Sequence, residues 1–156
     1  MPSPTVRAAQ ASDAAALASL CAQLGYPTPP DVIPERLARM THDDLVRVFV
    51  AECEGSVVGL ATVHARITIN HVHPLAQLTL LVVDETRRGQ GAGRALVERV
   101  ERFARELGCR RIVVTTALHR AGAHAFYERI GYAHTGRRYG KDFPDDSNEG
   151  RHADSH

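Results

Sequence analysis

Between Leu78 and Arg94 the chain reads Leu-Thr-Leu-Leu-Val-Val-Asp-Glu-Thr-Arg-Arg-Gly-Gln-Gly-Ala-Gly-Arg, and no other run limits the fold as much. An apolar stretch rich in branched side chains stops at a charged turn. It then passes through Gly89, Gly91 and Gly93 and enters a helical pattern. Glycine at alternate positions allows positive φ and keeps side chains out of the way of an anion. A helix starting near Gly91 turns its unpaired N–H groups and the positive end of its dipole toward the same place. Such a strand, loop and helix can cradle a phosphate with main chain alone. The same residues also read as a plain glycine-rich connection.

Two phosphate-binding patterns are excluded. The mononucleotide loop needs four residues between its first Gly and a Gly-Lys-Ser/Thr, and no such run occurs. The dinucleotide pattern G-x-G-x-x-G fails because Arg94 stands where its third glycine belongs. What remains is Arg88-x-x-Gly91-x-Gly93 behind a strand that ends at Val83–Asp84.

The other elements follow from periodicity. Thr5–Ala9 reads as a short strand. Ser12 or Asp13 can cap a helix carrying Leu17, Leu20, Cys21 and Leu24 on one face, with Gly25 as its stop. A second helix is expected near Pro34–Met40. Leu45–Cys53 and Ser56–Ile67 read as strands joined at Glu54–Gly55, a hairpin signal, and Leu75–Val83 is the next strand. After the cradle, Leu96, Val97, Val100, Phe103, Ala104 and Leu107 form one helical stripe that Gly108 terminates. Arg111–Thr116 reads as a strand, Ala121–Ile130 as a short helix and Tyr132–Phe143 as a final strand. A meander followed by crossover units implies an α/β (α+β) fold: a mixed, mainly antiparallel sheet with helices on both faces.

The cradle pattern resembles the acetyl-coenzyme A signature R/Q-x-x-G-x-G/A of the GNAT superfamily of N-acetyltransferases, whose element order is also the one read here. A second segment, His119–Arg120–Ala121–Gly122–Ala123–His124–Ala125–Phe126–Tyr127–Glu128–Arg129–Ile130–Gly131–Tyr132, resembles the family's A-x-x-F/L-Y-x-x-x-G-F/Y motif. The resemblance spans about Thr5 to Phe143 and implies one acetyltransferase domain over residues 1–143. The wording around His119–Tyr127 and His64…His71 is most similar to the branch acting on small amines, with aminoalkylphosphonate N-acetyltransferases the nearest type.

The resemblance implies acetyl-CoA as donor and a small-molecule primary amine as acceptor, attacking directly in a ternary complex. Main-chain groups of Gly89, Gln90, Gly91, Ala92, Gly93 and Arg94 would hold the pyrophosphate. Arg88 and Arg94 could add charge, although each also reads as a solvated turn arginine. The strand end Leu81, Val82 and Val83 would bond pantetheine, and the Val83 amide would polarise the thioester carbonyl. Tyr127 would donate a hydrogen bond or a proton to the departing sulfur, and Arg120 stands where relatives carry a coenzyme A contact. The strand before the cradle holds no carboxylate to serve as general base. Gln77 and Thr79 share a face with Leu81 by simple alternation, so they could order a water but not accept its proton. His71 or His64 is the remaining choice of base, since imidazole titrates near neutrality; each also reads as an ordinary exposed histidine. His71-x-His73 has no third ligand at recognisable spacing, so no metal site is expected. A catalytically silent acyl-CoA-binding module and an acetyltransferase for protein or peptide amines stay open as alternatives.

Composition narrows the partners. A net charge of +1 argues against nucleic acid or an acidic membrane surface. Cys21, Cys53 and Cys109 are odd in number and lie in apolar-periodic segments, which suits a reduced, cytoplasmic protein. No apolar run is long enough to span a membrane and no signal pattern opens the chain. Residues 144–156 are polar with little to bury and read as a disordered tail. Relatives are often homodimers, so the resemblance allows the same here.

Overall fold

The computed structural model describes residues 3–114, 121–136 and 139–144. The chain divides into two compact units, Met1–Val114 and Thr115–His156. The expected disordered tail lies, apart from Pro144, outside the described residues.

In the first unit the elements are β1 (Thr5–Ala8), α1 (Ala14–Gln23), α2 (Ile33–Thr41), β2 (Val46–Cys53), β3 (Ser56–Arg66), β4 (Leu75–Val83), α3 (Ala92–Glu106) and β5 (Ile112–Val114). They form one sheet in the order β1-β2-β3-β4-β5. The first four strands pair antiparallel and β5 joins β4 in parallel, so the sheet is mixed and mainly antiparallel as expected. The hairpin at Glu54–Gly55 has positive φ at both residues, the backbone twist that a two-residue β-turn needs.

Alternation along the strands divides the core into two layers. Val48 and Val50 of β2, Leu60 of β3 and Val82 of β4 pack with Leu17 and Leu20 of α1 and Ile33 and Leu37 of α2. Intervening residues meet α3 on the other face, where Phe49 packs edge-on against Phe103 with ring centroids 6.5 Å apart. A Cβ on Gly59 would stand 2.9 Å from Leu96 Cδ1 and 3.4 Å from the Val82 carbonyl oxygen. Glycine there lets α3 lie close to the sheet. The stripe expected on α3 is the face that packs: Leu96, Val97, Val100, Phe103 and Ala104 are buried.

Asp13 precedes α1 but spends its carboxylate elsewhere. It accepts two bonds from the Arg7 guanidinium at 2.9 Å and one from the Gln10 N–H at 2.7 Å. Arg7 also donates to Glu52 at 3.1 Å, which ties β1, β2 and the entry to α1 together. Asp13→Asn is expected to lower the unfolding free energy by about 2 kcal/mol, since it weakens charge-assisted bonds at a buried site. The hydrogen bonds from Arg7 hold the Asp13 carboxyl below its ordinary value of 3.8. Its contribution is therefore complete above that value and is lost as pH falls through the lower folded value. Urea denaturation across pH should show wild type and variant converging in acid; a pH-independent gap would refute the assignment.

The second unit contributes α4 (Ala121–Arg129). The strand expected over Tyr132–Phe143 is corrected: its described residues, 132–136 and 139–143, adopt no regular structure. Gly136, Gly140 and several charged residues interrupt the segment, and Tyr139 and Phe143 are exposed, so no apolar face is buried to hold a strand.

Candidate active site

Among the described residues the end of β4 has an open edge, and a bulge decides which atoms line it. The Ala76 N–H reaches toward β5, to Arg111 O at 3.2 Å, whereas the Asp84 N–H reaches toward β3, to Val58 O at 2.8 Å. These residues are an even number apart, so strict alternation would turn both amides the same way. The pairing register shows the irregularity: Thr62 faces Leu80 while Val63 faces Leu78, which leaves Thr79 as an extra residue. Beyond it, the amides of Leu81 and Val83 turn away from β3. Pairing with β5 covers only Ala76–Leu78, so Thr79–Val83 has no partner on that side among the described residues. The Val83 carbonyl on this edge accepts from Arg88 Nε at 3.3 Å. Val82 has the opposite orientation, with its side chain buried in the core beside α1 and α2.

The bulge also corrects the reading of faces. Gln77 pairs with His64 and Leu81 with Ala61, which lie on opposite faces of β3, so Gln77 and Leu81 do not share a face. Thr79 instead turns its hydroxyl to Thr62 Oγ1 at 2.6 Å and to His64 Nδ1 at 3.0 Å, both on the face opposite Leu81. Simple alternation fails because it counts residues, while the bulge inserts one without advancing the register.

After β4, Asp84 accepts from the Thr86 N–H at 3.0 Å and the Thr86 hydroxyl at 2.9 Å, which shapes a tight turn over Glu85–Arg87. Hydrogen bonds from the Thr86 backbone and side chain lower the Asp84 pKa. The Glu85 N–H donates to Gln23 Oε1 at 2.9 Å and anchors the turn to the end of α1. Gly89 and Gly91 then take φ of 81° and 91°, and a Cβ on either would meet nothing within 4 Å. α3 starts at Ala92, one residue later than expected, with Gly91 as its left-handed cap and no side chain capping it. Ala95 is bonded to Gly91 O at 3.0 Å, so the amides of Ala92, Gly93 and Arg94 precede the helix's own hydrogen-bond ladder. Three N–H groups without partners in their own helix are what an anion at a helix start requires. Arg94 is exposed and its Nε pairs with Glu98 at 3.2 Å, and Gln90 is also exposed.

The two histidines proposed as base differ in setting. His64 is half-buried on β3, and burial pushes its imidazole below the ordinary value while Asp43 pulls it back up. His71 is exposed in the loop between β3 and β4, and its Nδ1 lies 2.8 Å from Thr68 Oγ1. In the second unit, Tyr127 lies on α4 with its side chain buried. Its ring is 5.3 Å from Phe126 and 5.7 Å from Tyr132, and burial pushes its phenol up to about 12. Arg120 and His119 lie outside the described residues.

A mixed sheet with a strand end unpaired among the described residues, running into a glycine turn that opens a helix, fits an acyl-CoA-binding transferase. The chain belongs to the acetyltransferase (GNAT) family, whose model matches residues 14–132. It is an N-acetyltransferase, and acetyl-CoA is its acyl donor. It is 33% identical over 138 residues to the aminoglycoside N(6')-acetyltransferase type 1 of Stenotrophomonas maltophilia, covering 86% of this chain and 89% of that one. To the aminoalkylphosphonate N-acetyltransferase of Salmonella typhimurium it is 32% identical over 99 residues, 64% of each chain. In fold it matches a transcriptional regulator from Bacillus halodurans C-125 with a TM-score of 0.81, at 23% identity over 90% of this chain and 99% of that one. An aminoglycoside N-acetyltransferase solved in complex with CoA matches with a TM-score of 0.79, at 20% identity over 90% of this chain and 94% of the other.

Proposed function

We propose that this enzyme transfers the acetyl group of acetyl-CoA to a primary amine of a small molecule by direct attack in a ternary complex. The edge of β4 left unpaired among the described residues, turned outward by the Thr79 bulge and running into the glycine turn, carries this reading. Amides of Leu81 and Val83, spaced by Val82, are the donors for pantetheine, and the Val83 N–H serves the thioester carbonyl oxygen. The cradle amides from Gly89 to Arg94 hold the pyrophosphate. The Arg88 guanidinium steadies the strand end through the Val83 carbonyl.

A substrate ammonium must lose a proton before its nitrogen can attack. His64 suits this, because partial burial favours its neutral, proton-accepting form. Tyr127, by its place in the second motif, donates to the departing sulfur. Small amines are supported as acceptors by the activities named for the two bacterial relatives, an aminoglycoside and an aminoalkylphosphonate acetyltransferase.

A thiol-release assay with acetyl-CoA and a panel of aminoglycosides, aminoalkylphosphonates and peptides tests the proposal. Turnover is expected on at least one small amine. Tight acetyl-CoA binding without turnover would indicate a silent module, and turnover on peptides alone would overturn the small-molecule assignment.

A further inference from the structure

The Thr79 hydroxyl lies at the centre of a three-residue cluster whose hydrogens can be counted. It is 2.6 Å from Thr62 Oγ1, 3.2 Å from the Thr62 carbonyl oxygen and 3.0 Å from His64 Nδ1. A threonine hydroxyl has one hydrogen to give and two lone pairs. The Thr62 carbonyl can only accept, so that contact takes the Thr79 hydrogen. With the Thr79 hydrogen on that carbonyl, the Thr62 hydroxyl and His64 Nδ1 are both placed to donate to Thr79. Sending the Thr79 hydrogen to the Thr62 hydroxyl instead leaves His64 in the same role. Only donation to Nδ1 itself would reverse it, and that would leave the carbonyl contact unmade.

We infer that Thr79 is a positioning residue that holds His64 as its Nδ1–H tautomer and so leaves Nε2 as the proton acceptor. The inference rests on the reading of His64 as the general base. In the step it serves, an N–H bond of the substrate ammonium breaks and its proton moves to the Nε2 lone pair. The amine nitrogen keeps the electron pair with which it attacks, and the imidazolium later returns its proton to solvent. Throughout, the Nδ1–H stays on the Thr79 oxygen. The bulge makes this possible, because it turns Thr79 to the His64 face of the sheet.

Ring-nitrogen NMR of the histidine-labelled protein at mildly alkaline pH tests the lock directly, without substrate. His64 is one of nine histidines and is assigned by the signal lost in His64→Gln. A protonated Nδ1 and a bare Nε2 are expected in wild type. Thr79→Val should remove that preference, and Thr79→Ser, which restores the hydroxyl, should retain it. In turnover, Thr79→Val should lower kcat about tenfold, less than the ~10²-fold or more that a general base contributes. The KM for acetyl-CoA should stay unchanged, and serine should recover most of the rate. A protonated Nε2 in wild type, or ring shifts indifferent to Thr79→Val, would overturn the lock. A lock seen by NMR together with full turnover in His64→Gln would overturn the base assignment instead.

Discussion

Gly91→Val is expected to weaken acetyl-CoA binding about a hundredfold, a loss of about 2.7 kcal/mol, while α3 stays folded. Two effects act together. At φ 91° a β-branched residue is strained, so the cap shifts and its amides leave the alignment that an anion requires. The new side chain also adds bulk to the turn that leads into the amides of Ala92, Gly93 and Arg94. Because a Cβ at this position meets nothing within 4 Å, the substitution does not wedge into the core. Calorimetric titration with acetyl-CoA, paired with a thermal melt, separates the two consequences. Wild-type affinity in a folded variant would remove the loop from donor binding.

Tyr127→Phe is expected to lower kcat by about a hundredfold, the lower end of what a positioned proton donor contributes, with acetyl-CoA affinity nearly intact. Phenylalanine keeps the ring packing against Phe126 and Tyr132, so the change isolates the hydroxyl. Burial pushes that hydroxyl up to about 12, so it stays protonated across the neutral range. Moving its proton fully to a thiolate of conjugate pKa about 8.5 would be uphill by on the order of 5 kcal/mol. In the proposed role Tyr127 would therefore act chiefly by hydrogen-bonding the developing thiolate. The sign for stability follows: the buried neutral phenol contributes below its ordinary value of 10, and the contribution is lost as pH rises through about 12. A pH–rate profile should show no alkaline limb from Tyr127 below about pH 10. Unchanged turnover in the variant would remove Tyr127 from the mechanism.

The glycine turn and the helix start after it were legible in the sequence because their cause is local. Consecutive residues supply the strand end, the positive-φ turn and the helix start, and no distant contact is needed to specify them. The stripe on α3 and the Glu54–Gly55 hairpin were legible for the same reason. The segment after α4 shows the limit of such reading. Tyr132, Tyr139 and Phe143 suggest a strand by residue type, yet a strand also needs a neighbour and a buried face.

His64 could be named from the sequence as a titratable group near the site, but nothing in it separated His64 from His71. That choice depends on burial and on Thr79, which lies 15 positions from His64 in the chain. Thr79 itself was misplaced, since a period of two put its side chain on the Leu81 face. A bulge is a property of two paired strands, and only the β3–β4 register shows where the extra residue falls.

The sequence by itself therefore determined the donor: a strand, three alternating glycines and a helix, followed by a tyrosine in its motif, carry the family resemblance that implies coenzyme A, and each lies within a short run of chain. Only the tertiary structure decided which amides of β4 turn away from β3 and which histidine is half-buried beside Thr79. Both depend on which residues of β3 and β4 stand opposite each other. That pairing is set by packing α1, α2 and α3 against the two faces of the sheet, a long-range balance that no short run of residues encodes.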